Sequence, residues 1–158
     1  MTGQMTEAGD HPGHEQLAAM NGLEILRYMT SLAEQPPNIS QLMGMEIDSL
    51  EEGVVRFSLT ARPDMTNPIG SLHGGVCATL LDSVIGCAVH TTLEAGVGYG
   101  TLEIKVNYIR SVPTDGRRIT AIGRTIHVGR RTATAEGEVR DEAGKLIAHG
   151  TTTCIIHR

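Results

Sequence analysis

Residues 67–90 read N-P-I-G-S-L-H-G-G-V-C-A-T-L-L-D-S-V-I-G-C-A-V-H, a glycine-rich turn feeding a helix that is apolar on nearly every side. Val76, Cys77, Ala78, Leu80, Leu81, Val84, Ile85, Cys87, Ala88 and Val89 leave no broad polar face. That is the pattern of a fully buried helix, which needs cover on every side. One carboxylate, Asp82, interrupts the apolar run. Carboxylates are seldom buried unless they are paired or used, because stripping their hydration is costly. Asp82 is therefore expected either to do chemistry or to pair structurally with an arginine or a helix end.

The remaining elements follow from periodicity. Residues 1–15 are expected to be a disordered leader of Gly, Pro and polar residues. Leu17, Met20, Leu23, Ile25, Leu26, Met29 and Leu32 recur at helical spacing and predict an N-terminal helix over 17–34, stopped by Pro36-Pro37. Met45, Ile47 and Ser49, then Val55, Phe57 and Leu59, alternate with polar residues on either side of a Glu51-Glu52-Gly53 turn, which predicts a hairpin. The long helix is expected over 75–92. Leu102, Ile104, Val106 and Tyr108 then alternate with Thr101, Glu103, Lys105 and Asn107. Further strands are expected over 119–128, 132–140 and 146–156, joined by turns at Gly129-Arg130-Arg131 and Asp141–Gly144. The order is that of an α+β domain over 16–158, a curved antiparallel sheet wrapped around one long central helix. A second copy is expected to cover the exposed sheet edge or helix flank, giving a homodimer or homotetramer.

The 158 residues carry a net charge of −5, one Phe, three Tyr and no Trp. Neither charge nor aromatic content suits nucleic acid or an anionic membrane surface, so no such partner is expected. No apolar run reaches the length of a membrane span, and the N-terminus lacks the apolar core of a signal peptide. A cytoplasmic location is the expectation. Cys77, Cys87 and Cys154 are odd in number and show no C-x-x-C spacing, which reads as core packing rather than disulfides or zinc. His73 has no second ligand at helical spacing, so no metal is expected, and Ser83 lacks a G-x-S-x-G elbow. His90, His127, His149 and His157 read as surface or strand-end residues.

The string N-x-x-G-x-x-H-G-G-x-x-x-x-L-x-D over 67–82, followed by G-T-L-E-I-K-V-N-Y-I-R over 100–110, resembles the hotdog-fold acyl-CoA thioesterases. The likeness is to their phenylacetate-degradation (PaaI-like) group and spans residues 40–157; G-R-R-T-A-T-A-E-G-E-V and A-H-G-T-T-T add to it. The resemblance implies hydrolysis of an aryl- or fatty-acyl-CoA to the free acid and coenzyme A. Coenzyme A enters only as part of the substrate, and no other cofactor is implied. Asp82 resembles the acid that activates water or attacks the thioester carbonyl. Gly74 resembles the backbone donor to the thioester oxygen. Asn67 matches a side chain that holds that oxygen or the attacking water, and Thr101 a hydroxyl that positions the water. His73 and Gly75 complete the motif, His73 as an organiser of the loop. Pro68 after Asn67 and Ser111 after Arg110 depart from the family pattern.

The chemistry makes sense of the motif. A helix N-terminus offers free N–H groups and a partial positive charge to a developing oxyanion. Gly74 and Asp82, eight residues apart, lie about 12 Å apart on one helix, too far to touch a single carbonyl. Either the helix is broken or, as is expected here, Gly74 of one subunit and Asp82 of another make up one site. For the phosphates of coenzyme A, Arg130 and Arg131 in the Gly129 turn are candidates, backed by Arg110 and Lys105; the alternative is that these are solvated surface charges. A hydratase or dehydratase on acyl thioesters, and a non-catalytic acyl-CoA-binding module, are the rival functions.

Overall fold

The computed structural model describes residues 17–32 and 35–158, so the expected leader and residues 33–34 of the expected first helix lie outside the described residues. In chain order come α1 (Gly22–Ser31), α2 (Ile39–Met43), β1 (Glu46–Glu51), β2 (Val54–Thr60), a 3-10 turn (Pro63–Met65), α3 (Gly74–His90), β3 (Gly98–Tyr108), β4 (Arg118–Val128), β5 (Thr132–Asp141) and β6 (Leu146–His157). The six strands form one curved antiparallel sheet in the order β1-β2-β4-β5-β6-β3, with α3 packed across it. β3 is therefore an edge strand, with β6 on one side only.

The first helix is shorter than its apolar period suggests. Asn21 accepts from the Glu24 N–H while Glu24 accepts from the Asn21 N–H, both at 2.9 Å. This reciprocal cap starts the regular helix at Gly22 and leaves Leu17 and Met20 outside it. The short α2 was not expected. Asn38 caps its start, and Gly44, at φ 67°, takes the left-handed conformation that ends it.

A row of glycines explains how α3 nests against the sheet. Gly123, Gly137 and Gly150 are direct cross-strand partners on β4, β5 and β6. A Cβ on Gly123 would overlap the Val84 carbonyl of α3, and one on Gly137 would lie 2.8 Å from Ile85 Cγ1. The helix backbone thus settles into a trough that side chains would fill. Leu80, Leu81, Val84 and Ile85 are fully buried there, each contributing about 1.5–3 kcal/mol. At the far end of α3, the Gly22 N–H donates to the Leu93 carbonyl at 3.0 Å. A Cβ on Gly22 would overlap the His90 carbonyl, so α1 is seated directly on the helix C-terminus.

Four expectations are corrected. α3 is not covered all round in one chain: Asp82 is exposed, as are His73 and Gly75, while Thr79, Ser83 and Cys87 are half-buried. The sheet ends at β3, so the helix flank beyond that edge has no cover among the described residues. The alternation in β3 also breaks. A bulge between Thr101 and Glu103 leaves Leu102 57% exposed and turns Thr101, rather than Leu102, towards α3. A second bulge in β1, between Ile47 and Ser49, leaves Ile47 exposed. His90, expected at the surface, is half-buried with its ring 5.3 Å from that of Tyr99.

Candidate active site

The loop entering α3 is built around Asn67. Its Oδ1 accepts from the N–H groups of Ile69 (3.0 Å) and Ser71 (3.1 Å), and its Nδ2 donates to Ser71 Oγ at 3.0 Å. Gly70, at φ 87°, makes the tight turn possible. The Leu72 and His73 N–H groups donate to the Val112 and Met65 carbonyls, pinning the loop to its neighbours. Asn67 thus spends its carbonyl oxygen on the loop and, among the described residues, leaves one amide hydrogen without a partner.

His73 is the N-cap of α3. Its Nδ1 accepts from the Gly75 N–H at 2.9 Å, which places its proton on Nε2. Its carbonyl accepts from Val76 at 2.9 Å. Among the described residues no hydrogen bond occupies the Gly74 N–H, which leaves a free donor at the positive end of a seventeen-residue helix. Tyr108, the last residue of β3, leans over this turn and donates its hydroxyl to the Gly74 carbonyl at 3.1 Å. Asn67, Gly74, Cys77, Tyr108 and Arg110 line a cavity of about 310 Å³ beside the free donor. On the other side of the helix start, Leu42, Met43, Met65, His73, Gly75 and Val76 line a groove of about 490 Å³.

Asp82 stands two turns further along α3. Its Oδ1 accepts from the Thr101 hydroxyl of β3 at 3.0 Å. α3 runs unbroken from Gly74 to His90, which removes the broken-helix alternative. Within one chain the candidate residues fall into two groups about 12 Å apart along the helix: Asn67, His73, Gly74 and Gly75 at its start, and Asp82 with Thr101 beyond.

The arginines divide in the same way. Arg110 lines the cavity beside Gly74. Exposed Arg130 and Arg131, with Gly129 before them, sit at the β4–β5 turn. The register Ala133–Cys154–Thr101 across β5, β6 and β3 puts that turn at the Thr101 end of the sheet. Arg110 is thus not behind Arg130 and Arg131 in one patch, because it lies beyond the far end of β3, and Lys105 sits midway along that strand. Among the described residues neither Arg130 nor Arg131 forms an ion pair.

The cysteines are poor nucleophiles. Burial pushes the Cys77 thiol up to about 11, and burial with the nearby Asp82 charge pushes Cys87 up to about 12. Among the described residues no cluster of His, Cys, Asp or Glu could hold a metal ion, and no helix is long and apolar enough to cross a membrane. The sequence reading missed two contributors, Tyr108 and Ser71. Tyr108 read only as one more apolar member of an alternating strand, and nothing in the sequence linked Ser71 to Asn67.

Residues 69–148 match the thioesterase superfamily. The chain is 28% identical over 120 residues to the 1,4-dihydroxy-2-naphthoyl-CoA hydrolase of Listeria monocytogenes, covering 76% of this chain and 96% of that protein. It is also 28% identical, over 132 residues, to human acyl-coenzyme A thioesterase 13, covering 82% of this chain and 90% of that one. Among solved structures, the phenylacetic acid degradation protein PaaI of Thermus thermophilus (an Asn-to-Asp mutant) superposes with a TM-score of 0.67 at 30% identity, over 73% of this chain and 96% of that one.

Proposed function

The chain belongs to the thioesterase superfamily, as a PaaI-like hotdog protein, and we propose that it hydrolyses an aryl- or fatty-acyl-CoA to the free acid and coenzyme A at a site shared between two subunits. The observation that carries this reading is the unbroken α3, with an unoccupied N–H donor at Gly74 and an exposed carboxylate at Asp82 two turns later. Relatives named as acyl-CoA hydrolases support the substrate class.

The edge strand supports the shared site. Among the described residues nothing pairs with the outer edge of β3, where Leu102, Tyr108 and the following Ile109 are each more than half exposed, the kind of edge that native proteins cover. Two β3 strands paired antiparallel about a two-fold axis bring the Thr101–Asp82 end of one subunit onto the Tyr108–Gly74 end of the other. Each dimer then holds two sites, each with a donor from one chain and a carboxylate from its partner.

In such a site the thioester oxygen lies on the Gly74 N–H, with the remaining Asn67 amide hydrogen beside it. Asp82 either attacks the carbonyl carbon or takes a proton from a water that does, and Thr101 holds the carboxylate in place. The Gly74 donor stabilises the oxyanion, and collapse of the tetrahedral adduct expels the thiolate of coenzyme A; where Asp82 itself attacks, a water then hydrolyses the acyl–Asp82 anhydride to the free acid and restores the carboxylate. Arg110 from the Gly74 subunit and Arg130 and Arg131 from the Asp82 subunit would meet the coenzyme A phosphates.

The test is thiol release from a panel of aryl- and fatty-acyl-CoAs by wild type and Asp82→Asn. Loss of at least about two orders of magnitude in kcat is expected for the variant. Undiminished turnover would refute the role of Asp82, and a wild type inert towards every thioester would refute the activity.

A further inference from the structure

We infer that Tyr108 is a positioning residue that holds the Gly74 amide ready for the thioester oxygen; this rests on the thioesterase reading above. Gly74 poses a physical problem. It lacks a Cβ and has the widest backbone freedom of any residue, yet its N–H has to point at a fixed spot before substrate arrives, since a donor that must reorganise loses much of its electrostatic value.

The surroundings remove that freedom at both neighbouring peptides. The His73–Gly74 peptide is fixed by its carbonyl, which accepts from Val76 at 2.9 Å. The Gly74–Gly75 peptide is gripped at both ends: its N–H donates to His73 Nδ1 at 2.9 Å, and its carbonyl accepts from the Tyr108 hydroxyl at 3.1 Å. Among the described residues Tyr108 is the only contributor to this grip from outside the helix and its cap. Its ring also crowds this position, because a Cβ there would lie 3.1 Å from both Cε1 and Cζ of Tyr108.

The location of Tyr108 adds a second consequence. β3 carries Thr101, bonded to Asp82, near its start and Tyr108, bonded to Gly74, at its end. One strand therefore steadies both halves of the machinery through two hydroxyls, and it is the strand placed to pair with a second subunit.

Tyr108→Phe keeps the ring and removes the grip, so it separates positioning from packing. A fall in kcat of about three- to tenfold is expected, with KM within about twofold of wild type and an unchanged melting temperature. Wild-type kcat in Tyr108→Phe would overturn the inference, as would a loss of activity matched by a loss of folded protein. A second variant pair tests the ring. Gly74→Ala is expected to lose most activity, and Gly74→Ala/Tyr108→Ala to recover part of it because the obstructing ring is gone. Strictly additive losses would overturn the assignment of the ring. A wild type that turns over no thioester would instead sink the thioesterase reading, which the same assay reports first.

Discussion

The Thr101 hydroxyl donates to Asp82 Oδ1 at 3.0 Å, across from an edge strand to an exposed carboxylate on the central helix. A bulge at the next residue makes this contact possible by turning Thr101 inward. Removing the hydroxyl should release the carboxylate without unsettling the fold, because the pair is exposed and surface pairs contribute little to stability. Thr101→Val is expected to lower kcat about tenfold with little change in thermal stability; Thr101→Ser should retain most activity. Equal kcat for Val and wild type would remove Thr101 from the mechanism.

The proposed sharing of the site between subunits is tested by complementation. Asp82→Asn and Gly74→Ala are each expected to be nearly inactive alone. Co-refolded in equal amounts, they form heterodimers in which one of the two sites combines an intact Gly74 with an intact Asp82. Statistical mixing gives about one quarter of wild-type activity. No recovery from a mixture proven to have exchanged subunits would assign both residues to the same chain's site.

Gly22 sits against the His90 carbonyl with no room for a methyl group. The obstacle is backbone, which cannot swing aside. Gly22→Ala should cost about 1–3 kcal/mol in a denaturant titration by forcing α1 off the end of α3. A variant as stable as wild type would show that α1 contributes nothing to the fold.

Burial holds the His90 imidazole below its ordinary value of 6.5. The unfolded chain therefore takes up a proton that the folded chain refuses. Stability is complete above about pH 6.5 and declines as the pH falls through the lower folded value. Tyr99, the aromatic neighbour, is pushed up by burial and remains neutral throughout. Between about pH 8 and about pH 5, wild type should lose melting temperature more steeply than His90→Gln. Parallel profiles would clear His90 of the effect.

The strong local signals read correctly. The glycine turn, the apolar helix, the helix-start motif and four of the strand patterns all appear at or near their expected places, because each depends on the spacing of neighbours along a few turns or pleats. Gly123, Gly137 and Gly150 carried a readable signal that went unused: single glycines inside strands often mark close backbone approach. Asp82 shows the opposite failure. Its apolar neighbours suggested burial, but exposure depends on where the sheet ends, and the helix flank beyond β3 lies open.

What the sequence by itself determined is the pair of halves: a donor at the start of one apolar helix and a carboxylate eight residues on, with the rise of a helix keeping them about 12 Å apart. Tertiary structure decided which groups serve each half. A single bulged residue reversed the facing of the start of β3 and aimed Thr101, not Leu102, at Asp82. Strand order made β3 an edge, put Tyr108 over Gly74, and sent Arg110 and Arg131 to opposite ends of the sheet. The reason is range: periodicity records what a residue's neighbours in sequence are doing, whereas register, bulges and edges set the proximity of residues far apart along the chain.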